Sequence, residues 1–415
     1  MENLRKFGLN YCDLPTMLWN VTCLLRVLTL NIDSRYKKRV PAVFYVITAA
    51  VSAGYFYVYL VSMVWFVFWR CRQTGDLIAA MIAFSLGISS EIGSCKLLYM
   101  LIYEKTVRDI VDGYLACDAL NTLGSRFSQN VLKVLRFVKK RALFFWIVIV
   151  GNGVTYVLKA VVTPGRHMME DGFLLYGLEP MLESPNYEIA FFLCCLGVCY
   201  TCYLPANITA FCIVLVGYSE ATMLALGEEL INLWSDAQQC YKDTHNTIDT
   251  TNAIKEDLNR KNIIINKYIK ARLKDIVKIH MININFIRQF ELVFRGAIAL
   301  EFLLLITGII AELLGGLENT YIEMPFALMQ VAIDCLTGQR LMDACVIFEN
   351  SVYDCKWENF NVANRRTVLL MLQSSQKTLV LSAGGVATLS FSCFMTIIRS
   401  IYSAYTTLQS TMVLT

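Results

Sequence analysis

Charge is missing from long parts of this sequence: residues 41–69 contain no Asp, Glu, Lys or Arg. About 20 predominantly apolar residues are enough to cross the hydrocarbon core of a bilayer as a helix. Charged residues make up only 17% of the chain and hydrophobic residues 56%, and further uncharged stretches follow the first. This composition excludes an ordinary water-soluble protein and predicts an all-α membrane protein.

The motifs of enzymes and of metal or nucleotide sites are also missing. No HExxH, GxSxG or P-loop pattern occurs,. The CxxC at Cys199-Tyr-Thr-Cys202 lacks the second pair or the histidines of a metal site,. Gly151-Asn-Gly153 has no third glycine and no preceding strand, so it is not a nucleotide loop,. We therefore expect no enzyme, no cofactor, no metal and no nucleic-acid partner, and we interpret most of the fifteen cysteines as small buried side chains,. The three histidines lie far apart in the sequence, at His167, His245 and His280.

Seven segments are long and apolar enough to be transmembrane helices. The sixth is the least regular, because Asp334, Arg340 and Asp343 interrupt it. The predicted spans are 41–67, 77–102, 142–162, 189–217, 291–314, 322–343 and 379–408.

Lys and Arg are distributed very unevenly between these spans. The N-terminal tail and the second, fourth and sixth loops contain seven, eight, ten and four of them, whereas the first and third loops contain two and one. Because positive residues mark the cytoplasmic side, we expect the N-terminus inside the cell and the C-terminus outside. A G-protein-coupled receptor has the opposite orientation. The third loop, 163–188, also has no cysteine for a disulfide.

The fourth loop, 218–290, is too long to be a plain connector. It predicts long cytoplasmic helices that extend spans four and five, with a break near 242–251,. Two interpretations stay open, a solvated amphipathic linker and a helical platform for subunit packing. The apolar residues at helical spacing are Ile265, Ile269, Leu273, Ile276 and Ile279,.

Charged residues inside membrane helices usually face the bundle interior or a wet cavity. Glu91, Glu301 and Asp334 lie in predicted spans and are either functional or satisfied packing contacts, and the second interpretation is slightly favoured. Arg340 and Asp343 are three residues apart on one helix and could pair with each other,.

The last span has a semi-polar face. Tyr402, Tyr405, Thr406 and Gln409 follow helical spacing along one side,. Such a face suits a water-filled pore, and it also suits contact between membrane helices through hydroxyl groups.

Several short elements in the C-terminal part of the chain match one family pattern. They are Ser351-Val-Tyr353, Trp357, Arg365-Arg366, Leu369-Leu-Met-Leu372, Ser374-Ser-Gln-Lys377, Leu381, Ala383-Gly384 and Tyr402-Ser403-Ala-Tyr405-Thr406-Thr-Leu408. Through these elements, this part of the chain resembles the end of an insect odorant receptor. Departures from the family pattern are Glu358 after Trp357, Thr378 after Gln376-Lys377, and Ile401 before Tyr402.

The resemblance implies a ligand-gated, non-selective cation channel in the membrane of olfactory sensory neuron dendrites. It implies a tuning subunit that assembles with the odorant receptor co-receptor as a tetramer. Alternatives are a G-protein-coupled chemoreceptor and a membrane transporter. The implied organisation is a cytoplasmic segment 1–40, a ligand-binding bundle 41–217, an anchor domain 218–290, spans five and six 291–343, a further anchor segment 344–378, a pore helix 379–409 and an extracellular tail 410–415.

The resemblance also implies a pocket for a small hydrophobic volatile between spans two, three, four and six, and a pore lined by Tyr402, Tyr405, Thr406 and Gln409. From the expected orientation, outer halves of the four helices can be named. The predicted pocket residues are Phe84, Ile88, Gly151, Val154, Tyr156, Phe192, Cys195, Cys199, Met329 and Ile333.

Overall fold

The computed structural model of the chain describes residues 6–35, 40–119, 124–245 and 254–414. The described residues are almost entirely helical, as predicted. The helices are α1 Leu14–Val27, α2 Ala42–Thr74, α3 Leu77–Ile102, α4 Glu104–Ala119, α5 Arg126–Val162, α6 Asn186–His245, α7 Ile254–Leu314, α8 Leu317–Thr320, α9 Glu323–Tyr353, α10 Val362–Ser375 and α11 Phe391–Leu414. One turn of 3-10 helix, Trp357–Asn359, precedes α10.

Five of these helices, α2, α3, α5, α6 and α7, are long and apolar enough to cross a membrane. The sixth and seventh predicted spans correspond to α9 and α11, which carry more polar side chains. Local signals set several boundaries. The helix α2 ends at Gly75, which has a positive φ of 74°, and α3 then begins after Asp76, whose carboxylate accepts a hydrogen bond from the Ala79 backbone N–H,.

The long helical extensions predicted from the fourth loop are present. Helix α6 continues to His245 and α7 begins at Ile254, so each is roughly 90 Å long at 1.5 Å per residue,. Ile265 and Ile269 are buried, as are Leu273 and Ile276 farther along, whereas Ile279 is only half-buried. This burial favours a packed platform over a solvated linker. Most of the predicted break, 246–253, lies outside the described residues.

The seventh predicted span begins in the wrong place. Residues 382–388 form a small hairpin in which β1, Ser382–Ala383, pairs antiparallel with β2, Ala387–Thr388. Gly384 and Gly385 make the turn with φ values of 67° and 78°, a conformation that glycine adopts without strain,. The helix α11 therefore starts only at Phe391. The N-terminal helix α1, which packs against α6, was also not predicted.

Candidate functional site

A small cavity lies inside the bundle between α2, α3, α5, α6 and α9. Its volume is about 40 Å³, room for no more than a few water molecules,. Pockets for small organic ligands are usually several hundred Å³. The cavity is therefore too small for such a ligand in this conformation. Its walls are formed by Tyr59, Leu86, Ser89, Ser90, Asn152, Gly153, Tyr156, Val198, Thr201, Cys202, Glu323 and Phe326.

The helices around the cavity include all four expected from the family resemblance, with Tyr59 of α2 in addition. Of the ten predicted pocket residues, Tyr156 alone lines this cavity. Ile333 is buried elsewhere on α9. Four others are half-buried: Phe84, Ile88, Cys195 and Met329. Four are exposed on the outside of the subunit: Gly151, Val154, Phe192 and Cys199.

The lining side chains come from the predicted segments but from other positions on the same helices. On α5 they are Asn152 and Gly153, and on α6 they are Val198, Thr201 and Cys202. A membrane helix that is apolar nearly all round gives no signal for its rotation about its own axis. The ligand-binding role of the nine predicted residues outside the cavity wall stays a prediction.

Glu323 at the first turn of α9 is the acidic residue of the cavity wall, and the sequence did not lead us to predict it there. The side chain is 8% exposed. One carboxylate oxygen lies 3.4 Å from Ser85 Oγ, and the other lies 3.4 Å from the Tyr156 hydroxyl. Its position within a predicted span was the available signal, because acidic residues in membrane helices face the interior.

A second polar cluster lies deeper in the bundle. Lys96 Nζ is 2.7 Å from Glu301 Oε2 and 3.5 Å from Asp334 Oδ2, and it donates a hydrogen bond of 2.8 Å to Thr209 Oγ1. The Lys96 and Glu301 side chains are 4% and 0% exposed. Glu301 and Asp334 thus share Lys96 as a cationic partner. This pairing supports the interpretation that the two residues are packing contacts. Glu91 is half-buried, belongs to no ion pair among the described residues, and has one oxygen without a hydrogen-bond partner.

Between the two clusters, eight polar residues and one glycine lie at helical spacing on three helices. Each helix has the spacing i, i+7, i+11 or i, i+4, i+11, which keeps the positions on one face. Several of the buried polar atoms along these faces have no hydrogen-bond partner, including both carboxylate oxygens of Glu312 and both amide atoms of Gln330. The positions are Ser85, Ser89 and Lys96 on α3, Glu301, Gly308 and Glu312 on α7, and Glu323, Gln330 and Asp334 on α9.

Helix α9 also contacts the segment that leads into the last helix. A Cβ atom on Gly338 would lie 2.4 Å from the Leu389 carbonyl oxygen, so glycine permits a very close backbone approach,. Next to it, Gln339 Oε1 accepts a hydrogen bond of 3.2 Å from the Phe391 backbone N–H at the start of α11. One helix therefore reaches from the cavity wall at Glu323 to the base of α11.

Helix α7 holds the hairpin from the other side. The Glu291 carboxylate accepts hydrogen bonds from the backbone N–H and the hydroxyl of Ser382, and the Arg295 carbonyl accepts one of 2.8 Å from the Gly384 N–H. The start of α11 is thus fixed to both α7 and α9.

The predicted pore residues lie on α11, which packs against the subunit through Ile397 and Ile401. Tyr402, Thr406 and Gln409 are exposed and Tyr405 is half-buried, so most of the semi-polar face is free of contacts within the subunit. Arg399 is exposed. It lines an open groove with four hydroxyl side chains, Thr396, Ser400, Ser403 and Thr407.

Outside the predicted spans, charged networks connect the extended helices. Arg126 is paired with Glu229 at 2.8 Å and with Asp236 at 2.6 Å, and these carboxylates raise the pKa of its guanidinium. At the end of the sixth predicted span, Arg340 pairs with Glu220 on α6 and not with Asp343. Its Nε lies 3.5 Å from Glu220 Oε1. Burial lowers the pKa of His280 to about 4.

No group of three metal-ligating side chains occurs among the residues that the structure describes.

Apolar helices around a small cavity, joined through one helix to a last helix with an exposed polar face, define a helical membrane protein. The family model for the 7tm odorant receptor matches residues 76–402, and the chain belongs to this family. No curated protein sequence matches the chain.

Two solved structures show the same fold. The structure of the insect olfactory receptor OR5 from Machilis hrabei matches with a TM-score of 0.73 at 13% identity, covering 95% of this chain and 98% of that one. The structure of OR5 from Machilis hrabei in complex with eugenol matches with a TM-score of 0.68 at 12% identity, covering 96% of this chain and 98% of the other.

Proposed function

We propose that this chain is the odorant-binding subunit of a cation channel, and that it binds a small hydrophobic volatile in the cavity next to Tyr156 and Glu323. The channel forms with the odorant receptor co-receptor as a heterotetramer in the dendritic membrane of olfactory sensory neurons. The eugenol complex of the Machilis hrabei receptor supports a volatile ligand for this fold. The observation that carries the gating part is the continuity of α9 between the cavity and the base of α11.

Gating follows from the size of the cavity. A volatile ligand needs more than the 40 Å³ that is present, so its entry must separate the cavity walls,. Phe326 and Glu323 move with α9, and the close contact of Gly338 with Leu389 carries that movement to the hairpin. At 1.5 Å per residue, Glu323 and Gln339 are roughly 24 Å apart along the helix axis. A rigid helix of this length transmits a small displacement at one end to the other.

The pore would be formed by α11 of each subunit. No acidic residue occurs between 378 and 415, so this subunit contributes no carboxylate ring. Hydroxyl and amide groups of Tyr402, Tyr405, Thr406 and Gln409 would solvate the passing ion. Selectivity among cations is then weak, because an uncharged wet lumen imposes little field on the ion.

The test is expression of the full chain with and without the co-receptor in the same cells. We expect a volatile-evoked, non-selective cation current with single-channel steps only when both subunits are present. Saturable uptake without such steps would instead indicate a transporter.

Orientation separates the channel from a G-protein-coupled receptor. We propose a cytoplasmic N-terminus and an extracellular C-terminus, on the basis of the Lys and Arg distribution,. An antibody to a tag placed after Thr415 should label intact cells, whereas a tag before Met1 should need permeabilisation. The reversed pattern would exclude the channel assignment.

A further inference from the structure

The carboxylate in the cavity wall has too few hydrogen-bond donors. Glu323 is contacted by two hydroxyls, each at 3.4 Å. Both donors are shared, because Ser85 Oγ also donates to the Ile82 carbonyl at 2.8 Å and the Tyr156 hydroxyl also lies 3.4 Å from Glu170 Oε2. A hydroxyl carries a single proton. The nearer acceptor of Ser85 is the Ile82 carbonyl, so Glu323 is left with long, shared contacts.

Two further acidic side chains lie near Glu323. Glu312 is 0% exposed and both of its carboxylate oxygens lack hydrogen-bond partners. Glu312 and Glu170 are close enough to Glu323 to interact with it electrostatically. Lys159 acts on Glu170, but the ion pairs of the described residues include neither Glu312 nor Glu323. A buried carboxylate is costly unless it is neutralised or paired with a cation.

An independent observation points to a ligand. Ser89 lines the cavity one helical turn from Ser85, and the residue is only 6% exposed. Its hydroxyl oxygen has no hydrogen-bond partner. Buried hydroxyls in native proteins usually have one. Thr201 on the opposite wall also has a buried hydroxyl oxygen without a partner.

We propose that the cavity recognises a small amine. The ammonium group donates hydrogen bonds to the Glu323 carboxylate and to the Ser89 hydroxyl oxygen, and the hydrocarbon part packs against Phe326 and Val198. A neutral amine that meets a protonated Glu323 gives the same pair, because the carboxyl proton moves to the amine nitrogen. This assignment rests on the proposed odorant-binding function and adds the ligand class.

Three volatiles of equal chain shape test the assignment on the full chain co-expressed with the co-receptor. They are 3-methylbutylamine, 3-methylbutan-1-ol and 2-methylpentane, which differ only in a terminal amine, hydroxyl or methyl group. We expect half-maximal current for the amine at a concentration about 10-fold or more below that for the alcohol, with the hydrocarbon weakest, because a charge-assisted hydrogen bond is the strongest of the three contacts.

Variants locate the effect. Glu323→Gln should raise the half-maximal concentration of the amine about 10-fold or more and leave that of the alcohol within about threefold, since it removes the charge but keeps the shape. Glu318→Gln is the matched control, because Glu318 is exposed at the same end of the bundle. It should change neither value. Surface labelling of each variant shows whether it reaches the membrane.

The outcomes separate this inference from the proposed function. If the alcohol or the hydrocarbon opens the wild-type complex as well as the amine does, the ligand class is wrong and the odorant-gated channel stands. An equal shift for amine and alcohol in Glu323→Gln would show that Glu323 is structural, and the inference would fail. If no volatile from a broad panel opens a surface-expressed complex, the proposed function itself fails. The ranking of the three ligands on the wild type tests the inference even if Glu323→Gln does not reach the membrane.

Discussion

Lys96 and Glu301 form an ion pair of 2.7 Å between α3 and α7 in the interior of the bundle. Asp334 on α9 lies 3.5 Å from the same ammonium group, so one lysine joins three helices. Helices α3 and α9 also form part of the cavity wall, and α7 and α9 hold the segment before α11. The pair therefore fixes the part of the bundle through which we propose that ligand binding is transmitted.

Replacing Lys96 with methionine should destabilise the receptor strongly. Two buried carboxylates would lose their cation, and removal of one partner of a buried ion pair costs about 3–5 kcal/mol. The measurement is thermal unfolding of the detergent-purified receptor together with its surface level. Lys105→Met serves as the control, because Lys105 is exposed. Adding Glu301→Gln and Asp334→Asn to Lys96→Met should recover much of the stability; no recovery would show that the lysine acts by packing alone.

His280 should make the receptor sensitive to acid. It lies outside the predicted spans with its ring 4.5 Å from that of Phe348, and burial lowers its pKa to about 4 from an ordinary value near 6.5,. The unfolded chain binds a proton below pH ~6.5 and the folded chain does not until about pH 4, so stability falls as pH falls through this window.

The expected loss from this group is about 1.5 kcal/mol between pH 7.5 and 5.5. Unfolding of the purified receptor at the two pH values measures it. His280→Phe keeps an aromatic ring against Phe348 and should remove this part of the pH dependence. An unchanged pH dependence in His280→Phe would assign the effect to other groups.

Charge at position 409 should change ion permeation. Gln409 is exposed on the semi-polar face of α11, so Gln409→Glu should raise the relative cation conductance and Gln409→Lys should lower it, because a charge in the lumen attracts or repels the ion,. Single-channel recording with the co-receptor measures both. Normal surface expression with the same conductance in both variants would remove Gln409 from the conduction path.

Gly338→Ala should impair gating. The added methyl group would meet the Leu389 carbonyl oxygen, a backbone atom that cannot swing away, so α9 and the hairpin must separate at a cost of about 1–3 kcal/mol,. We expect a lower maximal current per surface receptor. Gly172→Ala is the control, since no atom lies within 4 Å of its Cβ position. Equal currents in the two variants would show that this contact does not transmit gating.

The sequence was sufficient for the helical membrane fold because long apolar stretches have few other structures in a bilayer. The buried series from Ile265 to Ile276 followed from its spacing in the same way. The hairpin at 382–388 was not predicted, because two glycines within an apolar stretch do not distinguish a turn from a close helix contact.

The cavity lies between the predicted helices, but most of its lining side chains differ from the predicted pocket residues. Gly151 is exposed. Gly153, two positions later on the same helix, lies against Cys202 of α6. Rotation of a helix about its axis is set by packing against its neighbours, which spans that are apolar on every face do not record. The interior position of Glu323 could have been predicted, because an acidic residue inside a membrane span usually faces the interior of the bundle.

The small size of the cavity also bears on the time course of detection. A ligand that cannot enter until helices part must wait for that fluctuation, however often it collides with the receptor. Volatiles of similar size should then share nearly one association rate and differ in how long they stay bound. Odour quality would be encoded in the decay of the current after a pulse more than in its rise.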